Sequence, residues 1–522
     1  MNKQKWQVRS PVNQEILDEV DLTDLGELPG LFLKAKQTQE KWALVKVSER
    51  ARLLVDLKEV IIQHMDEISD LICKENGKPR TEAMVHDIIT SLESIHYFAK
   101  SGVKTLKDQR IHLGSPLFLL RKSYLIHRPL GVISVISPWN FPLFFPITEI
   151  CMAVLAGNAV IFKPSEYAML IGRKIQSLFE EAGFPRHLVE TVYGDGKLGA
   201  AIIDQRPAKI FFTGSVATGK KIMGQASQYL IPVNLELGGK DPMIVLPDAN
   251  VDFATSAALW GAFANSGQIC ASTQRILIPE AMKDAFIKSF KEKAEKLRHI
   301  PNDSAKTDLG AITMPKQKEV YDRQLADAKS RSLEVVTGGE WQKDRVSLEP
   351  TVFMGNHIEE SDVYLNETFG PIKTITTYQS VSEAIEKANN TKYGLLASVI
   401  TSNPALGLRV AKQIEAGTVI VNEVAFTAGA PETPWGGVKE SGFGTKHSDK
   451  GLLEFVHSQH INMPKRSLYT FKSLWWFPYS PFQYETFRTY AKLHRSSWFS
   501  KLASIPWLLW NFTHLIKSEK RL

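Results

Sequence analysis

Apolar and polar positions follow two different periods along this chain. Between residues 25 and 107 the apolar residues recur at helical spacing, and 47–72 forms a long amphipathic run. Farther along, short apolar runs alternate with helical segments such as 167–182. The runs predicted as strands are 132–136, 160–163, 189–193 and 209–213. This β-α-β alternation predicts a mainly parallel sheet that is covered by helices on both faces.

A second alternating block begins at 241–246 and continues through 419–422. A chain of 522 residues also exceeds what one hydrophobic core organises, so more than one domain is expected. The pattern therefore predicts an α/β fold with two Rossmann-like domains.

The composition places the chain among ordinary globular proteins, with 43% apolar and 23% charged residues. Three cysteines cannot form a disulfide framework, which favours a reducing compartment. Residues 1–17 contain no apolar stretch typical of a secretory signal, and no run reaches the roughly 20 apolar residues of a spanning helix. We expect a cytoplasmic protein, or one attached to a membrane surface from the cytoplasmic side.

The net charge of +7 is concentrated at one end of the chain. Residues 461–522 contain ten Lys and Arg against two Asp and Glu, which leaves the rest of the chain close to neutral. A basic pI therefore describes the tail alone, and a nucleic-acid partner is not expected.

Three isolated residues are candidates for chemistry. Cys270 follows Gly267-Gln268-Ile269 in a small, polar context that suits an accessible nucleophile, although a lone cysteine is more often structural. Glu236 lies between leucines, where desolvation would raise its pKa toward that of a general base; a strand-end ion pair is the alternative. Asn140 stands between prolines and aromatic residues and could donate to an oxyanion, or simply stabilise its own turn.

Two glycine-containing turns follow predicted strands. The turn at 194–199 matches a dinucleotide pattern, but no acidic partner follows between Asp204 and Glu236, which favours an ordinary turn into a helix. The turn at 212–220 runs from a strand through Gly214-Ser215 into a helix, whose N-terminus could face a pyrophosphate. An ordinary loop fits the second turn equally well when it is taken alone.

Seven short segments, taken together, change the interpretation of each. They are Pro138-Trp139-Asn140-Phe141-Pro142, Phe162-Lys163-Pro164-Ser165-Glu166, Phe212-Thr213-Gly214-Ser215, Leu235-Glu236-Leu237-Gly238-Gly239-Lys240, Gly267-Gln268-Ile269-Cys270, Glu367-Thr368-Phe369-Gly370-Pro371 and Trp435-Gly436-Gly437-Val438-Lys439-Glu440-Ser441-Gly442. In order and spacing this set resembles the aldehyde dehydrogenase superfamily, and the resemblance covers about residues 10–462.

The resemblance implies oxidation of an aldehyde through a covalent thioester. Cys270 would attack the carbonyl carbon, and the Asn140 amide with the backbone N–H of Cys270 would hold the oxyanion. After hydride loss to a nicotinamide, Glu236 would activate the water that releases a carboxylic acid.

The resemblance also assigns the cofactor contacts. Lys163 and Glu166 match residues at the adenosine ribose, and Glu367 and Phe369 match those at the nicotinamide. The other assigned positions are Trp139, Ser165, Gly214, Ser215, Gly219 and Leu237. Because a carboxylate at Glu166 accepts from ribose hydroxyls and repels a 2′-phosphate, NAD is expected to be preferred over NADP. No metal site is expected.

The domain boundaries follow from the same resemblance. Residues 1–120 and 138–237 would form the NAD-binding domain, and 238–440 the catalytic domain. Residues 121–137 and 441–463 would form a small β arm that pairs subunits, so a homodimer or a homotetramer is expected.

Several alternatives remain open for the function. They are a non-catalytic member of the fold, a coenzyme A-acylating enzyme, and a succinate-semialdehyde dehydrogenase. Glu236 disfavours the acylating enzyme. The absence of arginine from 143–149 disfavours a small anionic aldehyde, whereas Phe144 and Phe145 suit an apolar one.

The tail at 464–522 forms a C-terminal extension that is rich in aromatic and basic residues. A helix is predicted from Ser504-Ile505-Pro506 through the apolar run ending at Ile516. Five of the eleven tryptophans lie here, namely Trp475, Trp476, Trp498, Trp507 and Trp510. An aromatic, basic helix lying in a membrane interface and a strap packed on protein are equally compatible with this pattern.

Overall fold

The structure is a computed structural model that describes residues 4–118, 121–300, 306–465, 473, 475–492, 494, 506 and 510. The chain divides into two compact units, residues 1–107 with 127–459, and residues 108–126 with 460–522. No helix among the described residues is long and apolar enough to cross a membrane.

The first unit contains two large sheets and an N-terminal hairpin. The hairpin strands are β1 Lys5–Arg9 and β2 Ile16–Asp21. The six-stranded sheet contains β5 Val132–Ile136, β6 Ala159–Lys163, β7 Val189–Thr191, β8 Ile210–Thr213, β9 Val233–Glu236 and β17 Gly442–Phe443. The seven-stranded sheet contains β10 Asp241–Val245, β11 Thr273–Pro279, β12 Glu334–Thr337, β13 Thr351–Met354, β14 Ile372–Tyr378, β15 Leu396–Ile400 and β16 Thr418–Val421. The predicted α/β fold with two parallel sheets is confirmed.

Both sheets are parallel except at one edge. The six-stranded order is β17-β9-β8-β5-β6-β7, and only β17 runs antiparallel to its neighbour. The seven-stranded order is β12-β13-β14-β11-β10-β15-β16, in which β12 is the antiparallel strand. Every residue of β5, β6, β10 and β11 is buried, as expected for strands covered on both faces. Each sheet therefore directs its carboxyl ends to one edge, where loops can form a site.

Helices cover both sheets. Those before β5 are α1 Leu28–Trp42, α2 Val47–Gln63, α3 Met65–Asn76, α4 Arg80–Glu82, the π-helix Ala83–Ile89, and α5 Thr90–Thr105. Those between β5 and β10 are α6 Phe144–Ala156, α7 Met169–Glu181, α8 Gly196–Asp204 and α9 Val216–Ser227. The remainder are α10 Val251–Phe263, α11 Lys283–Ala294, α12 Pro315–Ser330, α13 Asp362–Leu365, α14 Val381–Asn389, α15 Pro404–Ala411, α16 Ser448–Leu453 and α17 Pro481–Lys492.

The small third sheet corrects the expected boundaries of the arm. Its order is β18-β4-β3, with β3 Gln109–Ile111, β4 Arg121–Pro129 and β18 Val456–Pro464. Residues 132–136, assigned to the arm from sequence, instead form β5 inside the six-stranded sheet, and 442–443 pair with β9 there. The reason is burial: every β5 side chain is buried, whereas β4 and β18 are mostly exposed or half-buried.

The second unit contains the C-terminal helix α17 and aromatic side chains with large exposed areas. Ser115 and Tyr490 are hydrogen-bonded at 2.9 Å, and Phe118 packs edge-on against Trp475. Pro506 and Trp510 are helical, in agreement with the helix predicted there. Trp498, Trp507 and the run 511–516 lie outside the described residues.

Candidate active site

Two cavities of the first unit meet at the carboxyl ends of the parallel strands. The larger has a volume of about 470 Å³ and the smaller about 280 Å³. Four residues line both cavities, namely Phe145, Thr213, Glu236 and Cys270. The structure therefore places the candidate nucleophile and the candidate base on a common wall.

Cys270 follows a backbone segment that few residue types adopt. Asn265, Ser266 and Gly267 are consecutive left-handed residues, with φ of 50°, 54° and 71°. Asn and Gly tolerate this region better than other residues, which is the local signal in the sequence. A side chain at Gly267 would meet the carbonyl oxygen of Gly370 at 2.3 Å, so glycine is required there.

Long-range hydrogen bonds hold this segment in place. The Asn265 backbone N–H donates to Glu82 at 2.8 Å, and the Ser266 hydroxyl donates to the Gly310 carbonyl at 3.0 Å. The Gln268 side chain donates to the Ala311 carbonyl at 3.1 Å and accepts from the Thr313 backbone N–H at 3.0 Å. Strain of this kind persists where the surroundings over-determine the backbone, commonly at functional sites.

The Asn140 side chain is buried beside this segment. Its amide nitrogen donates to the Gln268 carbonyl at 3.0 Å, two residues before Cys270, and its side-chain oxygen has no partner. The Asn140 carbonyl accepts from Lys78 at 2.7 Å, which fixes the turn from behind. One amide hydrogen of Asn140 is thus used by the protein, and the second remains available to a ligand.

Glu236 is the last residue of β9 and is buried close to the ion pair of Lys446 with Glu149. Burial raises the pKa of its carboxyl to about 7; nearby Lys446 and a hydrogen bond from Trp435 lower this pKa, and Glu149 raises it. Lys446 and Glu149 form a buried ion pair, and Lys446 also donates to the Thr213 hydroxyl. Oε1 of Glu236 has no hydrogen-bond partner. A carboxyl of this kind changes protonation near neutral pH.

The Cys270 thiol is half-buried, and its pKa is raised. Desolvation is the main cause, and the carboxylates of Glu367, Asp241 and Glu236 add to it. The thiol is therefore protonated near neutral pH, and attack on a carbonyl requires a base that accepts its proton.

The smaller cavity has the features of a dinucleotide site. Gly214 and Ser215 line it at the N-terminus of α9, where Ser215 caps the helix by accepting from the Thr218 N–H at 3.3 Å. Free N–H groups and the helix dipole favour a pyrophosphate there. Trp139 and Phe369 pack edge-on at 5.5 Å and offer an aromatic wall for a planar ring. The residues present therefore fit a nicotinamide dinucleotide.

Glu367 lines the same cavity opposite the glycines that follow β9. It accepts from the Gly239 N–H at 3.2 Å, and burial raises its pKa to about 7. A side chain at Gly238 would meet its carboxylate at 2.0 Å, so that glycine makes room for the acid. Leu237 also lines this cavity.

The remaining candidate cofactor residues lie beyond that cavity. Lys163 ends β6 next to β5, is buried, and stands 4.0 Å from Glu166, with Ser165 between them in sequence. Desolvation lowers the Lys163 pKa, and the charges of Glu166 and Asp195 oppose this shift. Gly219 faces Leu237, whose Cδ2 would lie 2.7 Å from an added side chain, so it permits close helix packing.

The larger cavity is predominantly apolar, and the described residues that line it provide no unpaired cation. Its aromatic lining is His86, Phe141, Phe144, Phe145, Trp260, Trp435 and His447. Burial lowers the pKa of His86 and of His447 to about 3, so both imidazoles are neutral at pH 7. Lys446, the single Lys or Arg among the described lining residues, is neutralised by Glu149.

Comparisons with known proteins agree with this arrangement. Residues 1–461 match the model of the aldehyde dehydrogenase family. The chain is 34% identical over 486 residues to the 4,4'-diapolycopene aldehyde oxidase of a Methylomonas species, covering 92% of this chain and 89% of that protein. It is 36% identical to a protein of Mycolicibacterium smegmatis provisionally named an NADP(+) succinate-semialdehyde dehydrogenase, covering 83% and 84% of the two chains.

A solved structure supports the same relationship. Betaine aldehyde dehydrogenase from Staphylococcus aureus in complex with NAD+ superposes with a TM-score of 0.85 at 28% identity, covering 92% of this chain and 94% of that one. The chain belongs to the aldehyde dehydrogenase family, and it is an oxidoreductase that acts on aldehydes.

Proposed function

We propose that this protein uses NAD+ to oxidise an apolar aldehyde to its carboxylic acid through a thioester on Cys270. The observation that carries the proposal is the common wall of the two cavities. Cys270 and Glu236 face both the apolar cavity and the cavity with dinucleotide features. An aldehyde carbon in the first cavity can thus reach the thiol and a hydride acceptor in the second.

The chemistry begins with the protonated thiol. Glu236 accepts the thiol proton, because its raised pKa makes it a stronger base than an ordinary carboxylate. The sulfur then forms a bond to the carbonyl carbon, and the resulting oxyanion accepts from the Asn140 amide and from the backbone N–H of Cys270. Bound NAD+ supplies the oxidising power by accepting the hydride that leaves this carbon, which produces the thioester.

Hydrolysis completes the cycle. After returning its first proton to solvent, Glu236 removes a proton from water, whose oxygen attacks the thioester carbon while the carbon–sulfur bond breaks. The acid leaves, and Glu236 gives the proton taken from water to the departing sulfur, which restores the thiol of Cys270. A base at Glu236 favours water as the acceptor, which argues against the coenzyme A-acylating alternative. The assembled thiol, amide and carboxyl argue against a non-catalytic role.

The lining of the larger cavity supports an apolar substrate. A semialdehyde carries a carboxylate that would be desolvated without a free cation to pair with it. Phe144 and Phe145, predicted to suit apolar aldehydes, both line this cavity. The Methylomonas relative is named as an oxidase of 4,4'-diapolycopene aldehyde. We therefore prefer an apolar aldehyde to a succinate-semialdehyde-type substrate.

Substitution of Cys270 by alanine tests the proposed function. We expect Cys270→Ala to abolish NADH production from hexanal or decanal while NAD+ binding, measured by calorimetry, is unchanged. Cys73→Ala is the matched control, because Cys73 is another half-buried thiol and lies outside both cavities. Aldehyde-dependent NADH production by Cys270→Ala at the wild-type rate would refute the assignment, as would a product that requires coenzyme A.

The pH dependence of turnover tests Glu236. Burial raises the pKa of Glu236 to about 7, so its carboxyl is mostly ionised, and able to act as a base, only above that pH. We therefore expect kcat to increase as the pH is raised through about 7. Glu149→Gln removes a charge that raises the pKa of Glu236, so the increase in kcat should occur at lower pH. Lys446→Met removes a charge that lowers this pKa, so the increase should occur at higher pH. Lys5→Met in the N-terminal hairpin is the control. A shift of the pH profile in the same direction in Glu149→Gln and Lys446→Met would contradict the assignment.

The cofactor preference is part of the same proposal. Glu166 stands beside buried Lys163, where a carboxylate accepts from ribose hydroxyls and repels a 2′-phosphate. Solved family members contain NAD+, whereas the name of the Mycolicibacterium relative specifies NADP(+). We propose that this chain prefers NAD.

The preference can be measured directly. kcat/KM should be higher with NAD+ than with NADP+, and Glu166→Gln should reduce that ratio by about tenfold, equivalent to about 1.4 kcal/mol. Glu40→Gln, an exposed acidic residue of α1, is the control. A wild-type ratio below one would overturn the preference.

A homodimer or homotetramer is also proposed. β18 is an edge strand of the small sheet, nine residues long and mostly exposed, and unpaired strand edges are ready to pair with another chain. A contact through β18 would complete a sheet across two subunits.

The second unit supports peripheral attachment to a membrane. Trp476, Phe477 and Tyr479 are 56%, 75% and 69% exposed, and the sequence after residue 460 carries the excess of basic residues. Aromatic side chains with basic neighbours favour the interface of an anionic bilayer. The free state of all three cysteines is compatible with the cytoplasmic side.

Liposome flotation tests this attachment. The full chain should float with vesicles containing phosphatidylglycerol, and the double variant Trp476→Ser with Phe477→Ser should lose most of that binding. Leu44→Ser with Leu230→Ser is the control, because these leucines are 86% and 90% exposed elsewhere. Equal flotation of the aromatic and control variants would reject membrane attachment through this segment.

A further inference from the structure

The mouth of the larger cavity is formed by apolar side chains that remain exposed. Val85, Ile89 and Trp260 line the cavity and are 44%, 44% and 45% exposed. We call these three residues the rim. Because the same side chains face both the cavity and solvent, the apolar lining continues outward past the mouth. A continuous exposed apolar surface next to a binding cavity is a mark of ligand contact.

The helix that carries two rim residues has an unusual geometry. Ala83–Ile89 is a π-helix, a wider form that occurs mostly as short insertions at functional sites. Between the rim residues on this helix, the His86 ring packs edge-on against Phe141 at 6.1 Å and against Trp260 at 5.8 Å. With its pKa lowered to about 3, His86 is a neutral ring of the wall. The aromatic lining thus extends without charge from the interior to the rim.

The charged groups at the mouth of the cavity restrict the charge that the far end of a ligand can carry. Glu93 and Glu432 line the cavity and are exposed, so they present carboxylates to anything that leaves it. An anionic far end would be repelled, whereas an uncharged chain meets only the rim.

We propose that the substrate is an aldehyde with an uncharged apolar chain long enough to leave the cavity and lie on the rim. The inference rests on the proposed aldehyde oxidation and adds the length of the substrate. A chain that ends inside the cavity leaves the rim in water, whereas a longer chain gains contact there. Each methylene that becomes buried can raise kcat/KM by up to about fourfold.

Comparison of propanal with tetradecanal tests the proposal in the full-length enzyme with NAD+. The wild type should show kcat/KM at least about 100-fold higher for tetradecanal than for propanal. The double variant Val85→Ser with Ile89→Ser should lower the ratio of kcat/KM for tetradecanal to kcat/KM for propanal by at least about tenfold, because the long chain contacts the rim and the short chain ends inside the cavity. Leu44→Ser with Leu230→Ser is the control, at exposed leucines away from both cavities.

Trp260 provides a second measurement. Trp260→Ser should lower the ratio of kcat/KM for tetradecanal to kcat/KM for propanal by about tenfold, whereas Leu230→Ser, at an exposed leucine away from both cavities, should not change that ratio.

Two results would overturn the inference. One is an equal effect on short and long aldehydes in the Val85→Ser with Ile89→Ser double variant and in Trp260→Ser, including no effect on either. The other is a wild-type kcat/KM that does not increase with chain length. In both cases NADH production from propanal would still support the proposed function, whereas the absence of turnover with every aldehyde would reject that function itself.

Discussion

A fully buried ion pair between Lys78 and Asp87 connects the elements that form the site. Lys78 Nζ stands 2.6 Å from Asp87 and also donates to the Asn140 carbonyl, while Asp87 accepts from the backbone N–H groups of Leu143 and Phe144. One pair thus joins the π-helix, the turn that carries Asn140, and the start of α6. Removing one partner would leave an uncompensated buried charge, at a cost of about 3–5 kcal/mol. Because these elements form the wall of the larger cavity, its shape depends on that pair.

The reacting groups lie in an environment that keeps net charge low. Burial raises the pKa of Glu236 and of Glu367 to about 7 and keeps the Cys270 thiol protonated, while Lys446 is neutralised by Glu149. The low-dielectric interior that disfavours an isolated thiolate also strengthens hydrogen bonds to an oxyanion. A site of this kind generates charge only when a substrate is present to accept it. The apolar wall therefore contributes to the chemistry as well as to substrate binding.

The sequence predicted most of the fold but less of the site's surroundings. Mainly apolar runs such as β5 and β6 were recognised as strands because burial on both faces leaves a local signature. The motifs placed Cys270, Glu236 and Asn140 together because their family order was intact. The contact of Glu82 with Asn265 spans 183 positions, and no local pattern indicates it. The same holds for Lys446 with Glu149, and for the π-helix, whose extra width leaves no distinct periodicity. The arm was predicted to extend too far, to residue 137, because β4 is followed almost immediately by the buried strand β5.

Folding alone does not explain why the rim residues are exposed. Val85, Ile89 and Trp260 would be better placed in the interior if folding alone determined their positions, because exposed apolar side chains forgo burial and favour aggregation. Each exposed apolar side chain alone is ordinary on a protein surface. Together, at the mouth of one predominantly apolar cavity, they extend the apolar lining from the region of Cys270 toward solvent, and a chain-like apolar substrate is the ligand that would cover them.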